Sequence, residues 1–321
     1  MKKVVLTLSL IVGFITAFVI IKKLKKTKAT DSYEIGILQT ASHPALDASR
    51  QGFMKQLSTR LGDKINFVIH NAQGNISQAH AIAQQFHANK ELDAFFAIAT
   101  PAAQALAAVE KQKPIVLSAV TDPANLGLIY QKTNVTGVSD MIDVPGTIDM
   151  ITQLVPHAQT VGLLYTSGET NSITLAEKMR QSITDRGLTP LDFAVSNEAD
   201  MQTVVQLACR KADVLLAPTD NTIAASIPLI ISLCAKYNKP FIASDNMLVH
   251  SGALAARGVD YKQCGAQAAN MMYRMLIDGI QPDTLAVERS NSNTIYINKK
   301  VANTLGIVIP QKIQSSIKFI L

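Results

Sequence analysis

Short apolar runs that end at small polar residues are the clearest pattern in this chain. Residues 95–99 (FFAIA) and 115–120 (IVLSAV) are continuously apolar or small, which is typical of parallel strands covered on both faces of a sheet. The first run ends at residues 100–101 (TP) and the second at residues 121–123 (TDP). A capping side chain followed by proline often begins a helix, so each run predicts a strand, a polar turn and a helix.

The alternation of strands and helices extends over most of the chain and restarts once. Further apolar strands are expected at 33–39, 65–70, 161–165, 214–217 and 240–243. Proline and glycine at residues 143–146 mark the first passage between the two halves. This order predicts an α/β protein with two doubly wound, Rossmann-like lobes joined by a multi-strand hinge.

The pattern divides the chain into four segments. Residues 1–28 are expected to form a signal anchor or transmembrane segment, residues 33–142 the first lobe, and residues 143–255 the second lobe. Residues 256–321 are expected to cross back to the first lobe and the hinge, because the terminal segment of a two-lobe protein commonly does so.

The N-terminal segment contains an uninterrupted run of apolar and small residues at positions 4–21. A helix of this length spans about 27 Å, which is just enough to cross a bilayer. The lysine-rich sequence KKLKKTK follows at once, in place of the small residues that a signal peptidase needs. The segment is therefore predicted to remain as an uncleaved anchor, and a cleaved signal that releases the body is the alternative.

Positive charge is concentrated in this N-terminal segment. The chain has a net charge of +6, and seven lysines precede residue 29. The rest of the chain is therefore close to neutral and has no basic surface for nucleic acid. Two of the lysines precede the apolar run and five follow it. By the positive-inside rule, this count would keep the body of the chain in the cytoplasm.

Motifs for catalysis, metals and cofactors are missing from the sequence. There is no GxSxG, no HExxH and no Walker-type glycine loop. Ser42 and His43 are neighbours in the chain, and we interpret them as turn residues. The cysteines at 209, 234 and 264 form no CxxC pair and are predicted to be buried thiols rather than disulfide or metal ligands. The protein is therefore not expected to be an enzyme or to bind a metal or cofactor.

Polar side chains follow the predicted strands of both lobes, where the carboxyl ends of parallel strands meet a common cleft. Hydroxyl and amide groups, with helix N–H groups, suit a ligand carboxylate, and Asp122 or Asp220 suits a ligand ammonium. A zwitterion such as an amino acid needs both. Each of these side chains could instead cap a helix. The predicted ligand-binding residues are Thr40, Ser42, His43, Thr100, Asp122, Asn171, Ser172, Asp220 and Asn221.

Several motifs, in this order, resemble a known family: IGILQTASHPALDASRQGF, AIATPAAQAL, SAVTDPANLG, NVTGVSD, LLYTSGETNS, APTDN and GALAARGVDYKQCGAQAA. They are similar to the ABC-transporter substrate-binding proteins, whose better-studied members bind aromatic amino acids such as tryptophan. The similarity covers about residues 33–310 and implies the two-lobed periplasmic-binding-protein type I fold. By resemblance, the interlobe cleft would be lined by Thr100, Asp122, Asn171, Ser172 and Asp220.

The resemblance also implies a function and partners. The expected function is the extracytoplasmic substrate-binding component of an ABC importer, which closes its lobes on an amino acid with an apolar or aromatic side chain. The expected partners are permease and ATPase subunits, with the membrane reached through the N-terminal segment and the body monomeric. A location in the periplasm or at the outer face of the cytoplasmic membrane conflicts with the lysine count. Many relatives carry a lipoprotein cysteine, and no cysteine directly follows the apolar run here.

One alternative function remains open. A membrane-tethered ligand sensor with the same two lobes would present its ligand-bound form to a receptor or kinase instead of a permease. A repressor of the sugar-binding type would need a helix-turn-helix ahead of the lobes, where this chain has its apolar segment.

Overall fold

The computed structural model describes residues 32–290 and 294–320. They form two α/β lobes, each built around one sheet with apolar cores on both faces. Among these residues, no helix is both long enough and apolar enough to span a bilayer. The anchor predicted at residues 1–28 lies outside the described part of the chain.

The first lobe begins with five strands and three helices. The strands are β1 (Tyr33–Gln39), β2 (Ile65–Asn71), β3 (Ala94–Ile98), β4 (Ile115–Val120) and β5 (Val135–Ser139). The helices are α1 (Pro44–Leu61), α2 (Ile76–Ala88) and α3 (Thr100–Val109). The strands are parallel and lie in the order β2-β1-β3-β4-β5, so the direction of winding reverses between β1 and β3. Ligands of doubly wound sheets bind at such a switch point.

The second lobe repeats this topology. Its first strands are β6 (Thr160–Thr166), β7 (Thr189–Val195), β8 (Val214–Leu216), β9 (Phe241–Asp245) and β10 (Ala255–Val259). Its helices are α4 (Val144–Leu154), α5 (Thr170–Thr184), α6 (Met201–Lys211), α7 (Asn221–Ala225), α8 (Ile227–Lys236) and α9 (Asn246–His250). The order β7-β6-β8-β9-β10 is again parallel and reverses between β6 and β8. The restart of the pattern in the sequence is therefore confirmed as a second doubly wound sheet.

The last part of the chain is shared between the lobes. It contains α10 (Tyr261–Ile277), β11 (Glu288–Arg289), β12 (Ile295–Asn298), α11 (Lys299–Thr304) and β13 (Ile317–Ile320). Strand β11 pairs with β5 of the first sheet, whereas β12 pairs with β10 and β13 with β12 in the second sheet. Within residues 256–321, α10 and β11 contact the first lobe, whereas β12 and β13 extend the second sheet. Short 3-10 helices lie at Gly62–Lys64, Glu198–Asp200, Pro282–Thr284 and Gln311–Ser316.

Both faces of each sheet are buried, which explains the continuous apolar runs. In β3, Phe96 and Ile98 pack into a core that continues through both lobes, and Phe95 and Ala97 pack into a separate core of the first lobe. Successive strand residues point to opposite faces of a sheet. A strand covered on both sides therefore needs apolar residues at every position.

Helix α10 completes the outer layer of the first lobe by crossing α1 at close range. A Cβ atom on Gly265 would overlap the carbonyl oxygen of Ser49, and one on Gly52 would overlap that of Lys262. The amide of Gln56 also donates a hydrogen bond of 3.0 Å from α1 to Asn270 of α10. The two backbones therefore touch where each helix carries a glycine.

The structure differs from the prediction after β4. Helix α3 does begin at Thr100 after β3, although this threonine is the first helical residue and makes no capping hydrogen bond. No helix begins at Pro123; residues 123–127 form turns, in which the Leu126 N–H donates to the Asp122 carbonyl at 3.1 Å. Gly127 has a φ of +67°, which ends the helical path after one turn.

Candidate functional site

The carboxyl ends of the strands of both sheets face a cleft between the lobes. The part near the surface, the outer cavity, has a volume of about 390 Å³. It is lined by Thr40, Ala41, Ser42, Gln73, Gly74, Ile76 and Pro101 of the first lobe and by Thr166, Gly168, Glu169, Ser196, Asn197, Glu198, Asn221, Thr222 and Ala225 of the second. The inner cavity has a volume of about 20 Å³. It is lined by His43, Ala45, Leu46, Ala119, Asp140, Asn171, Thr219, Asp220, Asn221, Ala224, Asp245 and Tyr261.

Polar contacts join the two lobes across this cleft. The hydroxyls of Thr121 and Thr219 lie 3.0 Å apart, His43 Nε2 lies 3.3 Å from Asn221 Oδ1, and Lys178 Nζ lies 3.3 Å from Asp122 Oδ2. The threonine and histidine contacts are buried or partly buried, whereas the Lys178 side chain is 45% exposed. The lobes therefore meet both inside the cleft and at its rim, and the inner cavity is small because they touch there.

Asp220 is the N-cap of α7. Its Oδ1 accepts hydrogen bonds from the Ile223 N–H and the Thr166 hydroxyl, each at 2.9 Å. Its Oδ2 accepts from the Thr166 N–H at 2.7 Å and from the Ser172 hydroxyl. Four donors fill the acceptor positions of this carboxylate, so Asp220 ties α7 to β6 and α5. Of the two interpretations offered for Asp220, capping describes the observed contacts.

Glu169 approaches the same helix N-terminus. Its Oε2 accepts from the backbone N–H and the side-chain amide of Asn221, at 3.0 and 2.6 Å. Its Oε1 accepts from the N–H and hydroxyl of Thr222, at 2.9 and 2.8 Å. Burial and the neighbouring Glu169 carboxylate raise the pKa of Asp220 to about 7, although the donated hydrogen bonds lower it.

Asp122 lies at the rim and lines neither cavity. It accepts hydrogen bonds from the backbone N–H and the side-chain amide of Asn125, at 3.3 and 2.8 Å. Its remaining contact is the ion pair with Lys178 of the second lobe. The negative charge of Asp122 is therefore balanced by a lysine of the protein.

Two threonines, Thr40 and Thr100, lie where the strand ends of the first lobe meet α3. The Thr40 hydroxyl donates to the Ile98 carbonyl at 3.0 Å and accepts from the Ala102 N–H at 3.1 Å. The Thr100 hydroxyl is buried and has no hydrogen-bond partner. A buried hydroxyl without a partner is uncommon, because it costs free energy to remove it from water.

Two alanines at these strand ends adopt a strained backbone conformation. Ala99, directly after β3, has a φ of +74°, and Ala119, near the end of β4, has a φ of +59°. Residues other than glycine seldom adopt positive φ, and such strain is concentrated at functional sites. Both alanines lie where the first sheet faces the cleft.

Asp140, Asp245 and Tyr261 line the inner cavity but were not among the predicted ligand-binding residues. Asp140 directly follows β5, and its Oδ2 accepts a hydrogen bond of 2.7 Å from the Tyr261 hydroxyl. Asp245 ends β9 and caps α9 by accepting from the Leu248 N–H at 3.0 Å. A signal for both aspartates was present in the sequence, because each is a polar residue at the carboxyl end of an apolar strand.

The inner cavity carries carboxyl groups without a balancing cation. Among residues 32–290 and 294–320, no ion pair includes Asp140, Asp220 or Asp245. Burial raises the pKa of Asp140, and it raises the pKa of Asp245 to about 6. Burial also lowers the pKa of His43, which favours the neutral imidazole. The cavity therefore suits a positively charged group.

Three polar atoms around the inner cavity are buried without a hydrogen-bond partner. They are Nδ1 of His43, Oδ1 of Asp140 and Oδ1 of Asn171. Buried polar atoms in proteins usually have partners, and a group of unpaired atoms at one cavity is typical of a ligand site. The N-terminus of α1 also faces this cavity through Ala45 and Leu46, and no side chain caps it.

The predicted site residues fall into three groups. Thr40, Ser42 and Asn221 line the outer cavity, and His43, Asn171, Asp220 and Asn221 line the inner cavity. Thr100, Asp122 and Ser172 line neither cavity. Thr100 is buried at the start of α3, and Ser172 is fully buried against Asp220.

Two doubly wound lobes with polar strand ends facing an interlobe cleft define a bilobed ligand-binding protein of the periplasmic type I fold. The model of the ABC transporter substrate binding protein family matches residues 34–318, and the chain belongs to this family. The resemblance found in the sequence motifs is thereby confirmed.

Individual relatives agree with this assignment. The chain is 32% identical over 304 residues to a "Tyrosine-binding protein" of Clostridioides difficile strain R20291, covering 92% of this chain and 87% of the relative. An ABC domain in complex with L-Trp from Streptococcus pneumoniae has a TM-score of 0.86 and 33% identity, covering 90% of this chain and 100% of that one. A ligand-free, open substrate binding protein from Clostridium difficile has a TM-score of 0.68 and 31% identity, covering 90% of this chain and 99% of that one.

Proposed function

We propose that this chain is the extracytoplasmic substrate-binding component of an ABC importer and binds an amino acid with an apolar or aromatic side chain between its lobes. The observation that carries the proposal is the set of unpaired, buried polar atoms at strand ends of both lobes, facing one cleft. The names of the relatives, one tyrosine-binding and one in complex with L-Trp, support an aromatic amino acid. Residues 1–28 would hold the chain at the outer face of the membrane or be removed after export.

The two cavities suit the two ends of such a ligand. The outer cavity, with a volume of about 390 Å³, lies within the range of small-molecule sites and carries apolar surface from Ile76, Pro101 and Ala225. We place the ligand side chain there. The zwitterionic end would point toward the inner cavity, where both lobes supply unpaired polar atoms. Of the residues predicted from the sequence, those proposed to contact the ligand are Thr40, Ser42, His43, Asn171 and Asn221.

The ligand carboxylate would bind at the N-terminus of α1. This helix is 18 residues long, and the N–H groups of its first turn have no side-chain cap. Ala45 and Leu46 of that turn line the inner cavity. A helix N-terminus attracts anions through its unpaired N–H groups and its dipole. In the neutral imidazole of His43, Nε2–H donates to Asn221 Oδ1 and the unpaired Nδ1 is an acceptor, which suits the ligand ammonium and not its carboxylate.

A screen of ligands by thermal shift tests this function. We expect L-tryptophan, L-tyrosine or L-phenylalanine to raise the Tm of the purified chain by about 5–10 °C at about 100 times Kd, because ligand binding at that excess stabilises the folded state by about 2.7 kcal/mol. Glucose and ribose serve as controls and should leave Tm unchanged. Stabilisation by a sugar but by no amino acid would refute the proposal.

Lobe closure is the other part of the proposal. The higher TM-score to the L-Trp complex than to the open, ligand-free relative supports a closed arrangement, as do the contacts between the lobes. A ligand that contacts both lobes binds the closed state more tightly and so favours it.

The ion pair between Lys178 and Asp122 should favour closure slightly. We expect Lys178→Ala to weaken amino-acid binding by about two- to fivefold, because an exposed ion pair contributes less than about 1 kcal/mol. Arg180→Ala is the matched control, since Arg180 lies on the same helix but pairs with Asp192 inside the second lobe. Titration calorimetry measures both variants. Equal affinities of Lys178→Ala and Arg180→Ala for the amino acid would show that the ion pair between Lys178 and Asp122 has no part in closure.

A further inference from the structure

We propose that Asp140 is the residue that binds the ammonium group of the ligand, and that Tyr261 positions the Asp140 carboxylate. This inference rests on the proposed function and assigns the selectivity of the same site. It predicts that the protein distinguishes an α-amino acid from the corresponding acid without the amino group.

The geometry of Asp140 leaves one oxygen available toward the cavity. Its side chain lies at the carboxyl end of β5 and is 2% exposed. Oδ2 accepts the hydrogen bond from the Tyr261 hydroxyl at 2.7 Å, which fixes the orientation of the carboxylate. Oδ1 is buried and has no hydrogen-bond partner, and Asp140 lines the inner cavity. A primary ammonium has three donors and could satisfy this oxygen.

The other carboxyl groups of the inner cavity already have structural partners. Asp220 accepts hydrogen bonds from the first turn of α7 and from three further donors. Asp245 accepts from the first turn of α9. Asp140 caps no helix, since the N-cap of the next helix is Asp143. Among the three carboxyls at the inner cavity, Asp140 is therefore the one that does not serve as a helix cap.

A ligand ammonium would supply the charge that the protein does not. A buried carboxylate is stable only with a cation or several donors beside it. Within the described chain, Asp140 has hydroxyl donors beside it, from Tyr261 and Thr121, but takes part in no ion pair. Asn171 adds a second unpaired oxygen to the same cavity, so the ammonium could bind two acceptors from opposite lobes. Such a bridge favours the closed state.

Selectivity follows from the cost of leaving the carboxyl unpaired. A site built to hydrogen-bond one substrate group rejects analogues that lack this group, because its buried polar atoms lose their partner. A deaminated ligand such as 3-(4-hydroxyphenyl)propionate keeps the ring and the carboxylate of tyrosine. It should therefore bind much more weakly, although it fills the outer cavity equally well.

Calorimetry with L-tyrosine, L-tryptophan and their deaminated analogues tests the assignment. The full wild-type chain should bind the amino acids about 100-fold or more tightly than the analogues. In Asp140→Asn, affinity for the amino acids should fall by about 30-fold or more, and the preference over the analogues should shrink to within about fivefold. Asp149→Asn, an exposed carboxyl on α4, is the matched control and should retain the wild-type preference.

Two further variants separate the roles. In Tyr261→Phe, affinity should fall less than in Asp140→Asn and the preference for amino acids should persist, because the carboxylate is kept and only its orienting hydroxyl is lost. Asp122→Asn is the competing variant. Loss of the preference in Asp122→Asn, with Asp140→Asn unaffected, would overturn the assignment.

The experiment also distinguishes failure of this inference from failure of the proposed function. If wild type binds an amino acid but binds its deaminated analogue within about threefold, the inference is wrong and the function stands. This comparison needs no variant, so it holds even if Asp140→Asn does not fold. If wild type binds none of the amino acids, the proposed function itself is wrong.

Discussion

Replacing Gly265 with valine is expected to abolish the native fold or to destabilise it severely. A Cβ atom at this position would overlap the carbonyl oxygen of Ser49 and lie 2.8 Å from the backbone nitrogen of Phe53. These obstacles are backbone atoms of α1, which cannot rotate away as a side chain could. The helices would have to separate, and the core beneath them would lose its packing.

In Gly265→Val, the free energy of unfolding is expected to fall by more than about 4 kcal/mol, which is a large part of the stability of an ordinary protein. Soluble yield, circular dichroism and Tm measure it. Gly168→Val is the matched control, because Gly168 lies in an exposed loop where a Cβ atom would meet no atom within 4 Å. A Gly265→Val variant that melts within about 3 °C of wild type would show that α1 and α10 tolerate a wider spacing.

Asp220→Asn is expected to lower the Tm of the ligand-free protein by about 5–10 °C, which corresponds to about 2–3 kcal/mol. Each oxygen of Asp220 accepts from one backbone N–H, Oδ1 from Ile223 and Oδ2 from Thr166. An amide has only one oxygen, so its NH₂ group must face one of these N–H groups in either orientation. One buried donor is then left without a partner.

The pH dependence of stability gives a second measure of this change. The pKa of Asp220 is about 7 in the folded chain, above the ordinary value of 3.8. A raised acid pKa stabilises the folded state at low pH, and this stabilisation is lost as the pH rises through about 7. The Asp220 contribution to the wild-type Tm should therefore be lost between about pH 4 and pH 7, and the fall in Tm over this range should be smaller in Asp220→Asn.

Asp192→Asn is the control for both measurements. Asp192 is an exposed carboxyl that pairs with Arg180, so its replacement should cost less than about 1 kcal/mol and leave the pH profile unchanged. An Asp220→Asn variant with the wild-type Tm and a loss of ligand binding alone would show that Asp220 serves the ligand and not α7.

The sequence was sufficient to predict the fold because the fold depends on local patterns. The run at residues 95–99 corresponds to β3, and the second series of strands forms a second sheet of the same order. The prediction of a helix at Pro123 was wrong. Proline at a strand end permits a helix, but Gly127 four residues later ends it.

The site was harder to predict because it depends on which strand ends come together. Asp122 and Asp140 both follow a strand of the first sheet, and the sequence does not show that Lys178 pairs with one and Tyr261 with the other. Both partners come from distant segments of the chain. The capping of α7 by Asp220 was a stated alternative, but its four hydrogen bonds require Thr166 and Ser172 of two other elements.

The position of α10 determines when the first lobe can fold during synthesis. This helix packs on α1, more than 200 residues earlier in the chain, and supplies the outer layer of a lobe whose first five strands and three helices end before residue 143. The first lobe therefore stays incomplete until residue 277 has left the ribosome. Contacts this distant in sequence slow folding. An unfolded nascent chain is the form that a secretion channel can thread, so this delay is compatible with the proposed export of the chain.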